Sequence, residues 1–124
     1  RLQNIESIAK GFQVATTAAN GGQFPSTLTS GLYTFKCLGK ASCWNGTYVS
    51  AVDSVLLQGI SGVIPLDPLY KNGELGDAHL YSSNYTVLTP AGAYLSWKME
   101  NTTKCGRGVA SVGLCYLYIG PPVL

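Results

Sequence analysis

His79 is the single histidine of this chain, and Asp77 precedes it by two residues on the same face of an extended segment. With many serines also present, a Ser-His-Asp hydrolase is the first chemistry to weigh. That chemistry needs a nucleophile raised on a sharp turn, and the chain has no Gly-x-Ser-x-Gly elbow. A lone histidine beside strand residues reads instead as a polar contact. Gly39-Lys40 has the form of a phosphate-loop end, but the glycine required five residues earlier is Thr34, and Cys37 lies between them. No enzyme, metal site or cofactor is expected from these residues.

Cys37 and Cys43 enclose five residues, and Cys105 and Cys115 enclose nine. Neither spacing is the Cys-x-x-Cys of a zinc or redox site, and an even count in a short chain points to two disulfides. The connectivity is open at this level. The local pairs Cys37–Cys43 and Cys105–Cys115 are preferred, because each closes a segment with its own turn residues, Gly39-Lys40 and Gly106-Arg107-Gly108.

Asn45-Gly46-Thr47, Asn84-Tyr85-Thr86 and Asn101-Thr102-Thr103 have the form of glycosylation acceptors, which would lie on the surface of a secreted chain. The plainer reading of each is an asparagine bonding its own backbone in a turn. Tyr81, Tyr85, Tyr94, Tyr116 and Tyr118, with Trp97, make either an aromatic ligand-binding strip or a sheet core with its cross-strand pairs. The second is preferred.

These residues need a scaffold, and 124 of them suffice for one domain, residues 1–124, with a single core. Only 11% of the residues are charged, against roughly 25% in an average soluble domain. The surface is therefore neutral and hydroxyl-rich, which suits an extracellular or periplasmic setting. The net charge is +2, and the basic residues Arg1, Lys10, Lys36, Lys40, Lys71, Lys98, Lys104 and Arg107 are scattered. Such a distribution gives no nucleic-acid footprint. No apolar run reaches the ~20 residues that span a bilayer.

Leu2, Ile5, Ile8, Ala9, Phe12, Ala15 and Ala19 recur at steps of three and four, which predicts a helix over residues 1–19 with one apolar stripe. Asn20-Gly21-Gly22 and Phe24-Pro25 end it. No N-cap precedes Leu2, and Arg1 sits where the helix dipole disfavours a cation, so the natural helix is expected to continue upstream. The stripe Leu2, Ile5, Ile8 and Phe12 is expected to pack on a sheet and to be partly bare toward Arg1.

Leu32 to Phe35 reads as a short strand or an extended loop. Ser50-Ala51-Val52-Asp53 resembles a capping box before a second short helix ended by Gly59 or Gly62. Pro65 and Pro68 then make residues 64–68 a rigid connector. Four strands are expected beyond it, at residues 78–82, 85–88, 93–99 and 109–119. Alternation puts Leu95, Trp97 and Met99 on the core face, and Cys115, Leu117 and Ile119 together on one face.

The order of these pieces carries a resemblance. An amphipathic helix, Asn20-Gly21-Gly22-Gln23-Phe24-Pro25, Val63-Ile64-Pro65-Leu66-Asp67-Pro68, then Leu80-Tyr81-Ser82 and Tyr85-Thr86-Val87-Leu88 together resemble the type IV pilins and type II secretion pseudopilins over about half of the chain. The resemblance implies an α+β fold: an N-terminal helix packed on a small antiparallel sheet of about four strands, with a disulfide-bounded C-terminal region at residues 105–115. It implies a subunit, major or minor, anchored in the membrane by an apolar helix half and processed by a prepilin peptidase. Its partners would be other pilin subunits in a surface filament and the pilus assembly machinery. That apolar segment is missing here, so the chain itself is expected to be monomeric. Nor does the C-terminus match the acidic calcium loop of major pseudopilins, since Lys104 and Arg107 are the only charges after Glu100. The alternative is a secreted, disulfide-bonded adhesin or binding module that forms no filament.

Overall fold

A computed structural model of the chain describes residues 2–18, 22–27, 35–39, 42–43, 46–47, 49–66, 79–98, 105–111 and 113–123. Along the chain run α1 (Leu2–Ala18), β1 (Lys36–Cys37), β2 (Ser42–Cys43), β3 (Gly46–Thr47), α2 (Ser50–Leu57), β4 (Leu80–Tyr85), β5 (Gly92–Trp97), β6 (Val109–Ser111) and β7 (Leu114–Gly120). Five strands pair antiparallel in the order β1-β4-β5-β7-β6, and β2 pairs separately with β3. The architecture is α+β, with the N-terminal helix that the apolar spacing predicts and one strand more in the main sheet than expected.

The stripe of α1 is buried against the sheet. Ile5, Ile8 and Phe12 are no more than 1% exposed, and each such side chain contributes roughly 1.5–3 kcal/mol of burial. Phe12 stacks on Tyr81 of β4, ring centroids 4.5 Å apart. The same cluster holds Leu95 and Trp97 of β5 with Cys115, Leu117 and Ile119 of β7, the alternation read from the sequence. Burial extends toward the N-terminus as far as Ile5; the part of the stripe nearer Arg1, where bareness is expected, is not among the described side chains. The side chain of Leu2 and the position of Met99 lie outside the described residues.

α2 lies against α1, sending Val52 and Leu56 into the same core. Its start corrects the capping-box expectation. The N-cap is Val49, with no side-chain bond, and Ser50 is already helical. The carbonyl of Val49 accepts from Val52 and Asp53 backbone N–H groups instead. The Asp53 carboxylate is 4% exposed and accepts the Gly39 backbone N–H at 3.2 Å. The carboxylate thus serves a long-range bond across 14 residues.

Two strand assignments also change. Instead of separating two strands, Ser83-Asn84 lies within β4, which runs unbroken through it with a register shift between Ser82 and Tyr85. The polar groups are satisfied inside: Ser83 Oγ accepts the Thr27 backbone N–H at 2.9 Å, and the Ser83 carbonyl accepts that of Val123. Conversely, the single strand expected over residues 109–119 is a hairpin of β6 and β7. Gly113, at φ +81°, supplies the left-handed turn between them.

Candidate functional site

β5 and β7 alternate, so they present a second set of side chains on the face away from the helices. Tyr94, Tyr116 and Tyr118 point there, joined by Tyr85 of β4 and by Phe35. The aromatic residues named from the sequence thus divide between two faces: Tyr81 and Trp97 belong to the helix-side core, the other four tyrosines to the outer face. Tyr85 and Tyr116 stack nearly parallel at 5.3 Å, and Phe35 meets Tyr85 edge-on at 4.8 Å. Burial is the first cause that pushes the Tyr85 hydroxyl up to about 12, with Tyr116 adding to it. Burial likewise raises Tyr94.

On this face lies a groove of about 590 Å³ between the Leu88–Pro90 loop and β6, with Tyr94, Tyr116 and Tyr118 among its lining residues. Tyr94 and Tyr116 are buried, whereas Tyr118 is 40% exposed. The ring of Tyr118 lies over the backbone of Gly92, where a Cβ would stand 2.6 Å from Cε1. It also packs T-shaped against the Tyr94 ring, centroids 5.5 Å apart. The Tyr94 hydroxyl in turn donates to the Pro90 carbonyl at 2.6 Å, tying the loop to the sheet. Aromatic spacing points to Tyr118, but sequence reasoning missed the roles of Gly92 and Pro90. The signal was a glycine opening a strand, which often marks close approach of another group.

Of the residues first weighed for catalysis, His79 and Gly39 make contacts within the fold. His79 is fully buried, its Nδ1–H donating to the Pro65 carbonyl at 2.9 Å, while its own carbonyl accepts from Leu38. It joins the proline connector to the loop after β1. Asp77 lies outside the described residues. Gly39 adopts φ +78°, and its N–H, the group that a phosphate loop would offer to an anion, is held by the Asp53 carboxylate. Among the described residues no group of three or more His, Cys, Asp or Glu side chains is placed to hold a metal.

Cys105 and Cys115 form a disulfide with Cα atoms 5.5 Å apart, joining the segment ahead of β6 to the start of β7. Cys37 is also disulfide-bonded; the side chain of Cys43 lies outside the described residues. From the enclosed loop, Arg107 donates to both carboxylate oxygens of Glu6 on α1, at 2.7 and 2.9 Å. That hydrogen bond, aided by the guanidinium charge, holds Glu6 below the usual carboxylate range. Asn84 stands in β4, 8% exposed, rather than in a surface turn. Asn45 and Asn101 lie outside the described residues.

Among the described residues no helix is long and apolar enough to cross a membrane. No protein-family model matches the chain, and neither the curated proteins nor the solved structures provide a match.

Proposed function

We propose that the chain is the globular part of a structural subunit of a type IV pilus-like surface filament, acting by polymerisation and surface presentation rather than by catalysis. The observation that carries this reading is the placement of α1. Its apolar stripe lies on one face of an antiparallel sheet, and the last hairpin of that sheet is closed by Cys105–Cys115 and clasped to α1 by Arg107 and Glu6. A rigid body of this kind suits a subunit that is carried by its helix and displays a sheet and loop. Its partners are then further copies of the subunit, and, before assembly, the membrane and the assembly machinery.

The test is the encoded sequence ahead of Arg1, followed by electron microscopy of cells producing the whole gene product. A short basic leader, a glycine and about 20 apolar residues with a glutamate near their start are expected, together with filaments that disappear when the apolar stretch is deleted. An ordinary secretory signal, or a continuation into another domain, overturns the proposal. A secreted binding module then takes its place.

A further inference from the structure

We propose that the groove between the Leu88–Pro90 loop and β6 is a binding site for a neutral saccharide, stacked on the exposed face of Tyr118. Its volume, about 590 Å³, falls in the ~300–1,000 Å³ range of small-ligand sites. An exposed aromatic ring is usually free to swing, but this one lies over Gly92 and packs T-shaped against Tyr94. A pre-positioned ring loses little freedom when a ligand lies on it.

The charge of the lining narrows the ligand. Arg107 is the one charged residue among those described around the groove, and its guanidinium is already paired with Glu6. Among the described residues no unpaired charge is offered to an anion or a cation. The hydroxyls of Thr89, Ser111 and Tyr118 both donate and accept, which matches a polyhydroxylated ligand. A pyranose presents an apolar C–H face to a ring and hydroxyls at its rim. A polyproline helix needs a groove lined by several exposed aromatics; here Tyr94 and Tyr116 are 3% and 5% exposed, leaving one ring available.

The site does not depend on polymerisation, so it is tested on the 124-residue chain. The ¹⁵N-labelled protein is titrated by NMR with maltohexaose, cellohexaose and hexa-N-acetylchitohexaose, beside a galacturonate oligomer and decaproline. At least one neutral oligosaccharide should give saturable shifts centred on Tyr118, Ser111 and Thr89, with Kd in the millimolar range or tighter. Tyr118→Ala should weaken that binding about fivefold or more, while Tyr118→Phe keeps the ring and most of the affinity. Absence of saturable shifts with all three neutral sugars overturns the proposal. So does binding confined to the galacturonate or decaproline, or binding unchanged in Tyr118→Ala. Because Tyr118 is part-exposed, the spectrum of the variant also reports whether the fold is retained.

Discussion

A Cβ placed on Gly59 would overlap the carbonyl oxygen of Gly11, so α1 and the end of α2 touch backbone to backbone. The two glycines are not equivalent. A Cβ on Gly11 would meet side chains instead, 2.5 Å from Cγ1 of Ile60 and 3.0 Å from Cδ1 of Ile60 and of Leu56, so Ile60 has to turn to make room. A Cβ on Gly59 meets backbone, which cannot yield without separating the helices. Overpacking costs roughly 1–3 kcal/mol, and alanine in place of a helical glycine returns up to about 1 kcal/mol. Gly59→Ala should therefore lower the urea midpoint clearly, and Gly11→Ala much less. Equal losses would show that the helices can part.

Phe12 is fully buried and stacked on Tyr81. Truncation to alanine removes the ring contacts and leaves a cavity between α1 and β4, at a cost of about 3–5 kcal/mol. Such a loss is a large share of the stability of a small domain. Urea unfolding at constant m-value measures it. A loss under about 1 kcal/mol would mean that the sheet closes over the gap.

The parts of this fold legible in the sequence were those set by repetition. The spacing of Ile5, Ile8 and Phe12 gave α1, and the alternation of Leu95 with Trp97 and of Cys115 with Leu117 gave the core face. What failed was decided at long range. Ser83 looks like a turn residue until Thr27, 56 positions away, bonds its hydroxyl; Asp53 looks like part of a cap until Gly39 takes its carboxylate. The Tyr118 platform was half visible. Its aromatic spacing could be read, but the support from Gly92 depends on the register of β5 against β7.

Arg107 and Glu6 bridge the disulfide loop and α1 across an exposed surface, 59% and 49% accessible. Solvent screening limits such a pair to roughly 0.2–1 kcal/mol, so Arg107→Gln should change stability only slightly, and less at high salt. The sign with pH follows from Glu6, whose folded value is depressed by the Arg107 hydrogen bond. Its contribution is present above the unfolded value and is lost as pH falls through the folded one. A double-mutant cycle with Glu6→Gln at neutral pH and again in acid should show coupling only in the first.

The Cys105–Cys115 bridge closes a short loop, the two residues being ten apart in sequence. Restricting the unfolded chain over that length gives about 2–3 kcal/mol in the loop-entropy model. The paired replacement Cys105→Ala, Cys115→Ala should cost about that much, with the far-ultraviolet dichroism of the folded state preserved. Thiol titration of the unfolded, unreduced protein should find Cys37, Cys105 and Cys115 all unreactive. A reactive thiol from the pair Cys105 and Cys115 would remove the covalent link between β7 and the segment ahead of β6.

Buried tyrosines on both faces of the sheet should lower stability at alkaline pH. Burial raises the Tyr85 hydroxyl from about 10 to about 12 and raises Tyr81 as well, each by keeping the phenolate out of water. In the unfolded chain these groups ionise near the ordinary value, so above it the unfolded state holds fewer protons and stability falls with rising pH. For Tyr85 the loss runs from about pH 10 to about pH 12. It amounts to at most roughly 2–3 kcal/mol, because each tenfold change in the ionisation constant is worth about 1.4 kcal/mol. Phenolate absorbance from the buried tyrosines should therefore rise only together with loss of the folded dichroism. Tyr85→Phe should move that rise to higher pH, since it removes one group whose ionisation drives unfolding. If Tyr85→Phe leaves the alkaline midpoint unchanged, ionisation of Tyr85 in its stack with Tyr116 is not what opens the sheet.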